Sequence, residues 1–213
     1  MIKAFIFDMD GVIIDSEPLH FESDKKVLKD YNIEITHNEL IDYVGVTNSQ
    51  MWSELIEKYS LTAKLEELLE KQDIYKKHLF GEGELEAIAG IKELIDDLRK
   101  NGISIGLASS SSRDFIELIL KNLKLYEAFD IIVSGEEVSN SKPSPDIFLK
   151  AAELLNVHPS QCMVLEDSGH GVKAAKSAGM KCIAYRNPNS GSQDLSLSDI
   201  VIDSIEKINW LNL

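Results

Sequence analysis

Cysteine is scarce: Cys162 and Cys182 are the only two in 213 residues, and no Cys-x-x-Cys pair occurs. A chain of this length buries a core without disulfide or metal staples. Both thiols sit in apolar runs and are expected to be buried and reduced. No stretch approaches the ~18 consecutive apolar residues that a membrane helix needs. The opening run from Met1 is apolar, but Asp8 and Asp10 interrupt it before a signal-peptide core could form, so the expected location is a reducing cytoplasm. Basic residues are also short, with 22 Lys and Arg against 36 Asp and Glu and a formal charge of -14. So acidic a surface repels phosphate backbones and anionic lipid, and neither a nucleic acid nor a membrane is expected as a partner. An anionic small molecule stays admissible, because a cation bound in a site reverses the local field. Internal repeats and low-complexity tracts are absent.

What is present is ordinary globular composition, 44% hydrophobic and 27% charged. Length suggests one compact domain, or one domain that carries an insertion. Short β-type runs recur at 2–7, 103–108, 130–134, 163–165, 182–185 and 200–202. Several are almost continuously apolar, which suits strands covered on both faces of a parallel sheet. Helical spacing fills the gaps, in Ile88-Ile91-Leu94-Ile95-Leu98 and over 115–123 and 147–155. Ser144-Pro145-Asp146 reads as a helix N-cap with proline at the first helical position, and Gly102 and Gly179 stand where C-terminal glycines belong. The pattern predicts a doubly wound, Rossmann-like α/β core. One stretch breaks the alternation. From Ser16 to Leu79 only helical patterns occur, including the capping sequence Thr47-Asn48-Ser49-Gln50 before Trp52, Leu55, Ile56 and Tyr59. An all-helical cap over 16–80, inserted into a core of 1–15 and 81–213, is the expected organisation. Residues 187–198, rich in serine, read as a surface loop.

In open α/β sheets, ligands bind beyond the carboxyl ends of the strands. The predicted strand ends carry Asp8-Met9-Asp10-Gly11, Ser109-Ser110-Ser111-Ser112 and Glu166-Asp167-Ser168, while Lys142-Pro143 precedes the helix at Ser144. Taken singly, each admits a plainer reading as a surface turn, a polar loop or a solvated lysine. Together, up to four carboxylates would repel one another unless paired or bound to a cation. An all-oxygen donor set without His or Cys points to Mg²⁺ rather than zinc. Hydroxyls and backbone amides at a helix start form an anion cradle. A cation, a lysine, such a cradle and an aspartate nucleophile suit phosphoryl transfer.

Asp8-Met9-Asp10-Gly11-Val12, Ser109, Lys142-Pro143-Ser144-Pro145-Asp146 and Glu166-Asp167-Ser168 resemble the four ordered motifs of the haloacid dehalogenase superfamily, across essentially the whole chain. The branch it looks like holds small-molecule phosphatases and β-phosphoglucomutases, with a helical cap inserted after the first motif. The resemblance implies that Asp8 attacks phosphorus and that Asp10 protonates the leaving oxygen and then activates water. It implies Ser109, Ser110 and Lys142 as the phosphate-binding set. It also implies a Mg²⁺ site of Asp8, the Asp10 backbone carbonyl and Asp167, with Glu166 ligating or supporting. Dehalogenase members do not need the second aspartate, so Asp10 speaks against carbon–halogen cleavage.

The expected activity is Mg²⁺-dependent hydrolysis of a small phosphorylated metabolite, a sugar phosphate foremost, by a monomer. Two alternatives are a β-phosphoglucomutase and, from another class, a non-catalytic module that binds a phosphometabolite. The mutases carry a cap loop Gly-Val-x-Arg whose arginine grips the distal phosphate. Here Gly45-Val46-Thr47-Asn48 places Asn48 at that position, and the only arginines are Arg99, Arg113 and Arg186, none in the cap. Lysine lacks the bidentate fork of arginine. His20 and Lys76 or Lys77 nonetheless resemble a hinge-side histidine and a cap lysine of the mutases. His20, Asn48, Lys77, Ser111 and Arg113 are the substrate-binding candidates. The cap is expected to supply specificity and to exclude water. Tyr43, Met51 and Trp52 are candidates to line it, though packing in the cap's own core explains them as well.

Overall fold

The computed structural model describes residues 1–43 and 46–212. Its elements are, in chain order, β1 (Ala4–Phe7), α1 (Glu17–Lys29), α2 (His37–Leu40), α3 (Asn48–Tyr59), α4 (Leu65–Glu82), α5 (Ile91–Lys100), β2 (Ser104–Ser109), α6 (Arg113–Asn122), β3 (Ile131–Ser134), α7 (Asp146–Leu154), β4 (Cys162–Glu166), α8 (Gly169–Ser177), β5 (Lys181–Tyr185) and β6 (Ile200–Ile202). The chain divides into two compact units, Met1–Asp15 with Leu85–Leu213, and Ser16–Glu84. None of the described helices is long and apolar enough to cross a membrane.

The first unit is built on a six-stranded sheet of order β3-β2-β1-β4-β5-β6, parallel at every pairing. This is a doubly wound α/β fold. The chain steps outward from β1 through β2 to β3, then returns to place β4 on the other side of β1. Strand order therefore reverses at β1, and in such sheets the crevice at the reversal is where ligands bind. β1 is buried along its length, as its unbroken apolar run requires. Ala4 and Ile6 join Val164, Phe148, Ala151 and Val172 in the core beneath α7 and α8. Phe5 and Phe7 take the alternate face, their ring centroids 4.8 Å apart, with Phe129 edge-on to Phe7 at 6.0 Å. Both cysteines are buried free thiols.

The second unit holds α1 to α4 around Phe21, Val27, Leu28, Leu40, Met51, Trp52, Leu55 and Leu68. Met51 and Trp52 thus belong to the helical core, and Tyr43 packs against it. Asp24 of α1 and Gln72 of α4 are buried together, the Gln72 amide donating to Asp24 Oδ1 at 2.6 Å. Thr47 caps α3, its hydroxyl accepting from the Gln50 N–H at 3.3 Å, while the Gln50 side chain donates to Glu54.

Three local expectations are corrected. Gly81 lies inside α4, which runs on to Glu82, so the helical unit ends four residues later than the sequence break at 80 suggests. The α5 helix starts at Ile91 behind Gly90, and Ile88 precedes it, its N–H bonded to Ile13 O. Ser144 does not cap α7: Pro145 holds that position, and the Ser144 hydroxyl donates to the Asp146 side chain instead. Gly102 and Gly179 do follow α5 and α8, at φ of +70° and +74°.

Candidate active site

Register alone assembles the centre of the site. Phe7 pairs with Leu107 on one side and Leu165 on the other. One step further, Asp8 is level with Ala108 and Glu166, and its N–H donates to Leu165 O at 3.0 Å. The chain then reverses over Met9–Ile14, with Gly11 N–H donating to Ile14 O at 2.8 Å. Gly11 is at φ +77°, and a side chain there would overlap the Asp167 carboxylate. Only glycine meets both demands.

Lys142 arrives from the β3–α7 connection. Its ammonium donates to Asp8 Oδ1 at 2.5 Å, to Glu166 Oε1 at 2.7 Å and to Ala108 O at 3.3 Å, and lies 4.9 Å from the Phe148 ring centre. All three charged side chains are nearly inaccessible. Glu166 Oε2 accepts from the Asp167 N–H, the Ser168 N–H and the Ser168 hydroxyl, at 2.8, 2.8 and 3.0 Å. In α8, any side chain at Gly171 would collide with this carboxylate.

Asp8, Glu166 and Asp167 each offer an oxygen within 4.8 Å of the others. Burial drives the Asp8 carboxyl up to about 7, with Lys142 opposing and the Glu166 and Asp10 charges adding to the rise. Burial, then Glu166 and Asp8, pushes Asp167 well above the ordinary range. Burial acts against the Lys142 charge, yet the attractions of Asp8 and Glu166 outweigh it and hold its pKa above the usual value. One lysine does not balance three clustered carboxylates, and in a low-dielectric pocket that imbalance is severe. A compact all-oxygen donor set with a charge deficit fits a hard divalent cation.

Ser109 ends β2 and is 1% exposed, its oxygen accepting from the Ser111 N–H at 3.1 Å. That bond uses a lone pair and leaves the hydroxyl proton to be donated elsewhere. Ser110 is exposed beside it. The Ser111 hydroxyl donates to Asp10 Oδ2 at 3.1 Å, which joins the second strand end to the first. Arg113 is turned away from this group. Its guanidinium donates to Ile132 O at 2.8 Å and pairs with Glu137 at 2.6 Å. These partners, Ile132 O and the Glu137 carboxylate, occupy the Arg113 guanidinium in this structure.

The other substrate candidates belong to the helical unit. His20 of α1 has its ring centre 5.2 Å from that of Phe80. Asn48 is the first residue of α3, and Gly45, from the segment that carries it, lies outside the described residues. Lys77 pairs with Asp73 at 2.7 Å on the exposed side of α4.

The segment after β5 overturns its reading as a plain surface loop. Asn187 is 4% exposed and donates to Gly11 O at 3.0 Å, and the Ser190 hydroxyl donates to Asp167 Oδ2. These contacts follow from β5 lying next to β4, a neighbourhood that the segment's own composition does not encode.

Residues 5–185 match the model of the family described as haloacid dehalogenase-like hydrolase. A phosphorylated carbohydrates phosphatase of Thermotoga maritima is 35% identical over 97% of this chain and 96% of its own length. Hexitol phosphatase B of Escherichia coli K12 is 30% identical over 100% of this chain and 96% of its own. The crystal structure of a β-phosphoglucomutase from Clostridium difficile superposes with a TM-score of 0.77 at 30% identity, covering 100% of this chain and 95% of that one. The chain belongs to the haloacid dehalogenase-like hydrolase family, in the branch that holds phosphatases and β-phosphoglucomutase-like proteins.

Proposed function

We propose that this hydrolase is a Mg²⁺-dependent phosphatase that acts on a small phosphorylated metabolite, foremost a sugar phosphate, through a phosphorylated aspartate. The observation that carries the reading is the buried group of Asp8, Lys142, Glu166 and Asp167 at the carboxyl ends of β1 and β4. Asp8 is the nucleophile: its oxygen forms a bond to phosphorus as the bond to the substrate oxygen breaks. Asp10, entering protonated, gives its proton to that leaving oxygen. It then takes a proton from the water that attacks the aspartyl-phosphate, and inorganic phosphate departs. The bond from Ser111 to Asp10 supports this role by orienting the carboxyl. Ser109, Ser110 and Lys142 hold the oxygens of the transferring group.

Asp8, Asp167 and the Asp10 carbonyl would hold Mg²⁺. Glu166 takes the supporting part, since Lys142 engages one of its oxygens and three donors converge on the other. Bound Mg²⁺ offsets the repulsion between an anionic nucleophile and an anionic phosphate. The choice of a sugar or sugar-alcohol phosphate draws on the relatives named for phosphorylated carbohydrates and hexitols. Phosphate release measured over a panel of sugar, hexitol and nucleoside phosphates, with Mg²⁺ and with EDTA, tests the proposal. Turnover of at least one sugar or hexitol phosphate, lost with EDTA, is expected. Metal-independent turnover, or none across the panel, refutes it.

A second reading, the mutase, is favoured by the likeness to the β-phosphoglucomutase structure. Against it stands Asn48, with no arginine anywhere in 16–84 to grip the far end of a sugar bisphosphate. With β-glucose 1-phosphate and a phosphorylating primer, phosphate should form faster than glucose 6-phosphate. Isomerisation about tenfold faster than phosphate release would reverse the order of the two readings.

A further inference from the structure

We infer that the loop 187–193 is a clamp for the cation site, in which Ser190 positions Asp167 and Asn187 ties the loop to the turn carrying Asp8 and Asp10. The inference rests on the proposal that Asp167 is a metal ligand and adds residues that no motif contains. Asp167 needs such a clamp. It is pressed against Gly11, repelled by Asp8 and Glu166, and borders a cavity of about 260 Å³ shared with Arg186, Asn187 and Gln193. A carboxylate with space on one side and like charges on the other turns toward the space unless a donor stops it.

Ser190 is that donor, its hydroxyl bonded to Asp167 Oδ2. Ser190 is itself fixed. Its N–H donates to Asn187 O at 3.3 Å, and its carbonyl accepts from Gln193 Nε2 at 2.8 Å. Gln193 Oε1 in turn accepts from the N–H of Gly169, two residues past Asp167, at 3.1 Å. The near end of the loop is tied to the first strand end. Besides its bond to Gly11 O, the Asn187 amide donates to Asp15 Oδ1 at 3.4 Å, and Asn189 Nδ2 donates to Asp15 Oδ2 at 2.6 Å. The loop thereby links the ends of β1 and β4, whose carboxylates must converge on one ion. Partners of this kind, which orient ligands without touching the metal, typically change metal affinity 10- to 100-fold when removed.

The test is binding of Mg²⁺ by titration calorimetry and of Mn²⁺ by electron paramagnetic resonance, on the full chain without substrate. Ser190→Ala should weaken both by roughly 10-fold or more, while Ser190→Thr, which keeps the hydroxyl, should stay within about threefold of wild type. Ser192→Ala, an exposed neighbour in the same loop, should change nothing. In turnover, the loss in Ser190→Ala should be recovered by raising Mg²⁺, a response that a merely structural lesion would not show. Ser190→Ala binding within about twofold of wild type overturns the clamp and leaves the metal reading standing. Ser190→Thr as weak as Ser190→Ala overturns the part given to the hydroxyl. Wild type that binds neither cation overturns the metal reading, and the clamp with it.

Discussion

Replacing Gly171 with alanine sets two physical effects of opposite sign against each other. Gly171 lies in the first turns of α8, where alanine is favoured over glycine by about 1 kcal/mol in helix propensity. On propensity alone Gly171→Ala stabilises the protein. The site predicts the reverse. A methyl group at Gly171 would come well inside 3.0 Å of Glu166 Oε1, Oε2 and Cδ, so the carboxylate must retreat by more than an ångström. Glu166 now accepts four hydrogen bonds, one from Lys142, two from backbone N–H groups and one from the Ser168 hydroxyl. Bonds to a charged group contribute about 1.5–3 kcal/mol each, so losing two removes roughly 3–6 kcal/mol. Subtracting the propensity gain leaves a net destabilisation of about 2–5 kcal/mol, or a fall of roughly 4–20 °C in Tm for a chain of this size. Thermal and urea unfolding of Gly171→Ala beside wild type is the assay, with Ser177→Ala, exposed in the same helix, as the control. Stability equal to or above wild type would refute the claim that the glycine makes room for Glu166.

Asp10→Asn should lose activity by on the order of 10²- to 10⁴-fold while binding Mg²⁺ better than Asp8→Asn, because in the proposed site Asp10 would ligate only through its backbone carbonyl. Aryl phosphates, whose leaving groups need little protonation, should suffer least, and equal losses for aryl and alkyl esters would contradict the acid/base role. In the helical unit, burial raises the Asp24 carboxyl from its ordinary 3.8, against the bond from Gln72. The native state therefore holds that proton more tightly than the unfolded chain. The associated stability is present below about 3.8 and is lost as pH rises through the native value. Asp24→Asn cannot ionise, so urea unfolding should show it gaining on wild type as pH rises from 4 to 8, and a pH-independent difference would refute the assignment. Asn48→Arg should tighten binding of a sugar bisphosphate by adding a bidentate, charge-assisted contact, measurable by calorimetry, and unchanged affinity would count against a role for that position.

The sheet is legible in the sequence because each buried strand is a short unbroken apolar run, and Ile2 to Phe7 or Met163 to Leu165 has no other economical reading. The position of Asp8, Ser109 and Glu166 at strand ends is legible for the same reason, since the polar residue begins where the apolar run stops. Helix ends are read less well. The α4 helix continues through Gly81, a residue that reads as a local breaker, and α7 begins one residue later than predicted, at Asp146. Arg113 shows what proximity in sequence leaves out: it follows the serine loop, and its contacts to Ile132 O and Glu137 come from the neighbouring β3 and the segment after it. The loop 187–193 shows a different limit. Its Asn, Ser, Gly and Gln residues have the composition of a solvated turn, and only the adjacency of β4 and β5 brings Ser190 to Asp167. Residues that act through hydrogen bonds to distant segments leave no periodic or local signal.

The account turns on Asp8 as the nucleophile, and Asp8→Asn tests that most directly. Its kcat/KM should be compared with wild type at saturating Mg²⁺ on whichever sugar phosphate the panel selects, with circular dichroism to confirm an unchanged fold. An amide is a poor nucleophile toward phosphorus, so activity should fall to background. Activity above about a tenth of wild type would contradict the covalent mechanism.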